Sequence, residues 1–149
     1  MILSQKAQYA VRAVFELAKR EGSGPVKAAK ISAAQVIPVR FLENILGQLR
    51  QAGIVESVRG KEGGYLLGKP SGELTVGEVM RLILGPDSAG EWADIDAAHQ
   101  GSLPPGGVLI AMWEEAYQTM MDVYDGTTFK DLREREQAAR ENEALNYTI

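Results

Sequence analysis

The sequence predicts a mainly α-helical fold that carries one small β-hairpin. Most segments repeat their apolar residues at spacings of three and four, which is the pattern of helices with one buried face. Only one pair of short apolar runs, "IVESV" and "GYLLG", flanks a glycine-rich turn, which is the pattern of a hairpin. The chain has 149 residues, of which 45% are hydrophobic, so it can bury the core of one domain.

Residues 4–20 are predicted to form the first helix. Its apolar positions are Ala7, Ala10, Val11, Val14, Phe15 and Ala18. Ser4 is a suitable N-cap, and the segment "EGSGP" ends the helix. A short second helix is predicted over residues 26–34. Pro38 then opens a third helix, because proline is tolerated at the first helical position.

The third helix, "PVRFLENILGQLRQAG", has two chemically distinct faces, and Gly53 ends it. At about 100° per residue, the apolar face predicted to be core consists of Phe41, Leu42, Ile45, Leu46 and Leu49. The opposite face consists of Arg40, Glu43, Asn44, Gly47, Gln48 and Gln51. Several of these polar side chains can form hydrogen bonds with the edges of bases.

The hairpin follows this helix directly, and its turn carries Arg59 and Lys61 among glycines. The order of helix, short helix, amphipathic helix and basic hairpin is that of a winged helix-turn-helix. Such a fold predicts double-stranded DNA as the partner, with the wing against the phosphates or in the minor groove. A plain surface hairpin whose cations only aid solubility is the alternative.

The remaining chain is predicted to contain two more helices. Thr75 and Glu78 have the spacing of a capping box at the start of "TVGEVMRLILG", whose buried positions are Val76, Val79, Met80, Ile83 and Leu84. Residues 85–107 read as a long acidic loop, and residues 108–124 form a long helix. We therefore divide the chain into a DNA-binding domain (1–70), a dimerisation and sensor region (71–133) and a charged tail (134–149) that is expected to fray.

The long helix carries a wide apolar stripe, which predicts a homodimer, since helix-turn-helix proteins usually bind two half-sites. The predicted interface residues are Leu109, Met112, Trp113, Tyr117, Met120 and Tyr124, with Ala116 in the same stripe. Ordinary packing of this stripe against residues 4–20 is the alternative.

Charge and composition limit the possible functions. Residues 1–70 carry a net charge of +6 and residues 71–149 one of −10, giving −4 for the chain. This asymmetry fits a nucleic-acid-binding module joined to a different module, or equally a chance clustering on a solvated surface. No run approaches the roughly 18 apolar residues that span a bilayer, and the amphipathic start is no secretory signal. The chain is therefore expected to be cytoplasmic.

Several segments together resemble a known family. "LSQKAQYAVRAVFELA", "FLENILGQLRQAGIVESVRGKEGGYLLGK", "LTVGEVM" and "TTFKDL" are similar to the Rrf family of bacterial winged-helix regulators, the group of IscR, NsrR and CymR. The similarity covers roughly residues 1–133. It implies a homodimeric transcription factor whose recognition helix enters the major groove and whose wing reaches the minor groove. It also implies that the long helix crosses to the other subunit.

The resemblance also implies roles for individual residues. Glu43 matches the glutamate that accepts a hydrogen bond from a cytosine amino group, Arg40 occupies the neighbouring contact position, and Arg59 matches the wing arginine of the minor groove. Lys6, Tyr9 and Arg50 fall where the family touches phosphates. Val36 stands where a turn glycine is common, and "KEGG" replaces a more usual "PGGG".

The sensor of the family is where this chain departs from it. Many members hold an iron–sulfur cluster through three cysteines in the loop before the long helix and a further ligand three residues before the helix tryptophan. This chain has no cysteine, and Ile110 occupies the further position. No metal and no cofactor are therefore expected. The candidate effector site, with a merely variable loop as the alternative, consists of Trp92, Asp94, Asp96 and His99.

The leading hypothesis is a sequence-specific transcriptional regulator that is controlled by an unknown small molecule or protein. A repressor is favoured over an activator. The alternative is a winged-helix module that binds protein without binding DNA. An enzyme is the weakest hypothesis. The sequence offers no serine–histidine–acid arrangement and no glycine-rich phosphate loop that opens a helix.

Overall fold

The computed structural model describes residues 3–85 and 105–148. It contains six helices and one antiparallel hairpin within these ranges, so the predicted mainly α fold with a small β-hairpin is confirmed. The elements are α1 (Gln5–Lys19), α2 (Ala28–Gln35), α3 (Val39–Gln51), β1 (Val55–Val58), β2 (Gly64–Leu67), α4 (Val76–Leu84), α5 (Gly107–Asp125) and α6 (Phe129–Tyr147).

The predicted helix starts are found where capping chemistry places them. The Ser4 hydroxyl accepts from the backbone N–H of Ala7 at 3.1 Å, and Thr75 forms the predicted capping box with Glu78. Pro38 was predicted to be the first helical residue of α3, but the structure places it one position earlier, as the N-cap. Val36, between α2 and α3, adopts the left-handed conformation with φ = 53°, which is unusual for a β-branched residue.

Helix α1 lies at the centre of the fold and contacts α2, α3, α4, α6 and the hairpin. Its buried face is rich in alanine, which lets these elements approach closely, and consists of Ala7, Ala10, Ala13, Val14, Leu17 and Ala18. Helix α3 contributes Leu42, Ile45, Leu46 and Leu49 to the same core. The core of the chain is therefore built around α1.

Phe41 is a correction to the predicted core, because its side chain is 60% exposed. Around the axis of α3, Phe41 lies at the border between the buried residues and the polar face, about 40° from Ile45 and about 60° from Asn44. No element of the described chain covers this border. A periodicity pattern groups Phe41 with its apolar neighbours and cannot show that the covering element is missing.

The hairpin is tied to the start of α2 by a third extended segment. In the hairpin itself, Val55 pairs with Leu67 and Val58 with Gly64. The backbones of Val26 and Tyr65 exchange two hydrogen bonds of 2.9 and 2.8 Å. Gly64 has φ = +153°, and a Cβ at this position would lie 2.5 Å from the Val26 carbonyl. Glycine is therefore required where the hairpin meets this segment.

The C-terminal helices pack back onto the N-terminal half of the chain. Helix α5 contacts α4, and Arg81 of α4 forms a bidentate ion pair with Asp125 of α5 at 2.6 and 2.5 Å. Helix α6 packs on α1, where Arg133 donates to the backbone carbonyl of Ala18 at 3.1 Å, and Phe129 at its start is buried in the core. Within residues 3–85 and 105–148, no helix is long and apolar enough to cross a membrane.

The expectation of a frayed tail is wrong, because residues 134–147 continue helix α6. Thr128 and Asp131 form a capping box at its start, which the sequence analysis missed. Farther along, Lys19 of α1 pairs with Glu136 at 3.4 Å, and Glu136 also pairs with Arg140 of its own helix at 3.1 Å. Pairs four residues apart support a helix that is polar on all sides.

Candidate nucleic-acid interface

The polar face of α3 is held in a fixed orientation and is open to solvent. Four apolar side chains on the opposite face are buried in the core, so α3 cannot rotate without exposing them. As a result Arg40, Glu43 and Asn44 are exposed. Asn44 accepts a hydrogen bond from Gln48 at 3.2 Å. The side chains of Arg40 and Glu43 make no hydrogen bond or ion pair with the residues that the structure describes, so both can bind an external partner.

The wing presents cations on a turn whose shape depends on glycine. Gly60 has φ = +111°, and its carbonyl accepts from the N–H of Gly63 at 3.0 Å. A Cβ on Gly63 would lie 2.2 Å from the carbonyl oxygen of Val58. These glycines close the turn between β1 and β2. The side chains of Arg59 and Lys61 are exposed on this turn.

The start of α1 and the start of α3 together line an open hollow of about 660 Å³. It brings together four of the predicted contact residues, and its lining consists of Gln5, Lys6, Tyr9, Arg40, Phe41, Asn44 and Ile45. The phenol oxygen of Tyr9 accepts from Gln5 at 2.9 Å. Glu43 and Arg50, also exposed on α3, do not line this hollow.

Two lysines beside the wing were missed by the sequence analysis. Lys27 and Lys30 are exposed and line a second hollow, of about 360 Å³, together with Glu62 and Gly63 of the wing. The bond between Val26 and the hairpin brings them there. Their presence in the basic half was visible in the sequence, but their position next to the wing depends on that long-range pairing.

A buried carboxylate fixes the end of α2, from which the chain turns into α3. Glu16 of α1 is only 3% exposed and accepts from Gln35 at 2.7 Å and from Arg20 at 2.8 Å, with Lys19 at 3.2 Å. Burial alone would raise the pKa of Glu16, but these three contacts outweigh it and hold the pKa below its ordinary value. Arg12 of α1 also donates to the backbone carbonyl of Gln35.

A second carboxylate of the basic half, Glu21, is also engaged within the chain. It accepts from the backbone N–H and the hydroxyl of Ser71, both at 2.8 Å, and pairs with Arg133 of α6 at 3.2 Å. Burial opposes ionisation, yet the contacts with Ser71 and Arg133 lower the pKa of Glu21. Two of the negative charges near the basic half are thus bound in internal contacts.

The predicted dimer residues of α5 fall into two groups. Leu109, Met112 and Trp113 are exposed, whereas Tyr117, Met120 and Tyr124 are half-buried, and Tyr124 packs against the core. The side chain of Met121, which was not among the predicted residues, is fully buried against the rest of the chain. The candidate effector residues Trp92, Asp94, Asp96 and His99 lie outside the described residues.

The comparisons with known proteins agree in one family. The family model for Rrf2, described as an iron-dependent transcriptional regulator, matches residues 3–135. A Mycobacterium tuberculosis protein, provisionally named an HTH-type transcriptional regulator, is 38% identical over 135 residues, which are 89% of this chain and 81% of the relative. The HTH-type transcriptional regulator CymR of Bacillus subtilis is 32% identical over 132 residues, or 89% of each chain. The solved structure of T. potens IscR has a TM-score of 0.79 at 29% identity, over 93% of this chain and 90% of its own.

The iron in the family description has no fitting set of side chains in the part of the chain that the structure describes. Iron–sulfur clusters are held mainly by thiolates, and the sequence contains no cysteine. Within residues 3–85 and 105–148, no group of three or more histidine, aspartate or glutamate side chains could hold a metal ion. The described part of the chain therefore offers iron no site.

Proposed function

Because this chain belongs to the Rrf2 family of transcriptional regulators, we propose that it is a homodimeric repressor that reads a palindromic operator without an iron–sulfur cluster. Its general function, DNA binding in the regulation of transcription rather than catalysis, follows from the family and from the relatives named above. The repression, the dimer, the operator symmetry and a cytoplasmic site of action are our proposals.

The exposed polar face of α3 beside the wing is the observation that carries this proposal. Glu43 is an anion that faces a polyanion, so it opposes non-specific binding. Its place on this face makes sense if it accepts a hydrogen bond from a cytosine amino group in the major groove. Arg40 and Asn44 flank it and are suited to neighbouring bases. Arg59, on the wing, is suited to a narrow minor groove.

The remaining proposed contacts are to phosphates, which position the protein without reading sequence. They are made by Lys6, Tyr9, Arg50 and Lys61. Lys6 and Tyr9 share a hollow with the polar face of α3, so a strand that is held at α1 passes the reading residues. Phosphate contacts of this kind make the affinity strongly dependent on salt.

The dimer is proposed to form through α5. The apolar side chains of Leu109, Met112 and Trp113 stand on the surface of the single chain, where a second copy of the helix would remove them from water. An unknown ligand or partner protein is proposed to control the dimer through the loop that contains Trp92, Asp94, Asp96 and His99.

The division of roles between Glu43 and Arg59 provides the test. The operator is first selected from random DNA, and binding is then measured by fluorescence anisotropy at several salt concentrations. Glu43→Ala is expected to keep or improve the affinity for random DNA and to relax the preference at one cytosine-containing position by about 1–3 kcal/mol. Arg59→Ala is expected to lower the affinity broadly and to reduce the salt slope by about one unit.

Lys130→Ala is the matched control, because Lys130 is an exposed cation on α6 that lines neither the hollow at α3 nor the hollow at the wing. It is expected to leave the operator affinity unchanged. If Glu43→Ala and Arg59→Ala weaken binding to all sequences alike, the proposed roles are wrong: Glu43 does not read a base, and Arg59 does not bind the minor groove. If neither affects DNA binding, the alternative of a protein-binding winged-helix module replaces this proposal.

A further inference from the structure

Phe41 is a large apolar side chain left in water on the DNA-facing side of the molecule. Its exposure of 60% exceeds that of Val39, which is 46% exposed on the same first turn of α3. No residue in the described chain covers Phe41, although its ring lies beside that of Tyr9, with 6.4 Å between centroids and a tilt of 47°. An exposed aromatic ring of this kind gains free energy when a partner removes it from water.

The position of Phe41 around α3 lies between the two kinds of predicted DNA contact. It is about 100° from Arg40 and about 60° from Asn44 on the base-reading side, and about 40° from the buried Ile45. It also lines the hollow that Lys6 and Tyr9 share with α3. A partner that reaches Phe41 therefore lies between a phosphate held by α1 and the bases that face α3.

The major groove of DNA presents one kind of apolar group that an exposed aromatic ring can contact. The 5-methyl group of thymine is the only methyl group on the base edges of the major groove, and phenylalanine is one of the side chains that contact it. Phe41 has no hydrogen-bonding group, so it cannot bind a phosphate oxygen or a polar base edge. The chemistry of the side chain thus selects the methyl group.

We propose that Phe41 contacts the 5-methyl group of a thymine in each operator half-site and so specifies a T·A pair next to the base that Asn44 faces. This inference rests on the proposed function, since it requires α3 to enter the major groove. Tyr9 supports the ring of Phe41 from one side, and the hydrogen bond from Gln5 fixes Tyr9 in turn. Phe41 is therefore held in place before DNA binds.

The test replaces each thymine of the selected operator in turn by deoxyuridine, which removes the methyl group and keeps every hydrogen-bonding group. One position in each half-site is expected to lose about fourfold in affinity, the loss that corresponds to one buried methyl group of about 0.8 kcal/mol. Phe41→Ala is expected to bind the thymine operator more weakly. It should also bind the thymine and deoxyuridine operators equally at that position.

Val39→Ala is the matched control, because it removes a neighbouring exposed apolar side chain on the opposite side of the polar face. It should preserve the fourfold difference between thymine and deoxyuridine, and thermal unfolding should show that both variants are folded. If the wild type binds its operator selectively but no deoxyuridine substitution matters, the assignment of Phe41 is wrong while the regulator function stands. The same holds if Phe41→Ala still distinguishes the two bases. If the wild type shows no sequence preference at all, both proposals fail.

Discussion

Replacement of Glu16 by glutamine tests whether the buried carboxylate holds the helix-turn-helix together. The side chain of glutamine has almost the same shape as that of glutamate, so the substitution removes the charge and leaves the packing in place. Glu16 accepts from Gln35 at 2.7 Å, from Arg20 at 2.8 Å and from Lys19 at 3.2 Å. A neutral amide keeps one acceptor oxygen for these three donors.

The expected loss of stability follows from these contacts. A hydrogen bond to a charged group contributes about 1.5–3 kcal/mol. The contacts with Arg20 and Lys19 count for less, because these side chains are 31% and 23% exposed and water can solvate them in the variant. The net loss is therefore close to that of the Gln35 contact alone, about 2 kcal/mol. For a domain of this size, that corresponds to a decrease in Tm of about 4–8 °C.

The pH dependence separates the effect of charge from that of shape. The pKa of Glu16 is lowered in the folded state from an ordinary value of 4.5. The carboxylate therefore stabilises the fold fully above about pH 4.5, and this contribution is lost as the pH falls through the lower pKa of the folded state. The difference between wild type and Glu16→Gln should be largest at pH 7 and should shrink between pH 5 and pH 3.

Urea denaturation followed by circular dichroism at several pH values measures this difference. Other carboxylates titrate alike in both proteins, so the difference isolates Glu16. Glu73→Gln is the control, because Glu73 is exposed and its side chain makes no hydrogen bond or ion pair with the residues that the structure describes; it should change stability by less than about 0.5 kcal/mol. A gap between wild type and Glu16→Gln that stays constant from pH 7 to pH 3 would refute the role of the charge.

Two further predictions concern the dimer and the wing. Trp113→Glu places a charge in the proposed interface, so sedimentation should show a monomer or an aggregate; a wild type that is already monomeric at micromolar concentration contradicts the proposed dimer. Gly64→Ala forces a Cβ against the Val26 carbonyl, 2.5 Å away, and should cost on the order of 1–3 kcal/mol and weaken wing-dependent DNA binding. Gly47→Ala, where a Cβ meets open space in α3, should instead stabilise the protein by about 1 kcal/mol in thermal unfolding.

Local chemistry explains which elements the sequence could predict. Helices α1, α3 and α4 combine an apolar stripe with a recognisable start or end, such as the Ser4 cap or the Thr75–Glu78 box. The hairpin was predictable because its glycines are required by the backbone: Gly63 and Gly64 have no room for a side chain. In these segments, the capping residues and Gly63 are required by contacts with residues only a few positions away in the sequence.

Helix α6 escaped prediction because its second half has no apolar stripe. From residue 134 to residue 144, the side chains are polar or alanine. The helix is supported there by pairs four residues apart, such as Arg140 with Glu136 at 3.1 Å and Gln137 with Glu141 at 2.8 Å. Such pairs contribute only about 0.2–0.5 kcal/mol each, so a charged helix and a charged coil look alike in the sequence.

The candidate DNA-binding surface was predictable only in part, because it is assembled from distant segments. Arg40, Glu43 and Asn44 were found because they share one face of a single helix. Lys27 and Lys30 lie next to the wing because Val26 pairs with Tyr65, and these two residues are far apart in the sequence. Phe41 is exposed because no other element of the described chain packs over it, and a local sequence pattern cannot show how distant elements pack.

The two elements proposed to bind DNA, α3 and the wing, are positioned through α2, although α2 itself is short. At its start, Val26 is bonded to the hairpin that carries Arg59. At its end, the side chain of Gln35 is held by Glu16 and its carbonyl by Arg12, both from α1, and α3 begins four residues later. Helix α3 and the wing are therefore both fixed to the ten-residue segment from Val26 to Gln35, which includes α2. If α3 reads bases and the wing enters the minor groove, as proposed, a change at either end of α2 would alter the distance between Glu43 and Arg59, and residues outside the DNA contacts would then influence which operator the protein prefers.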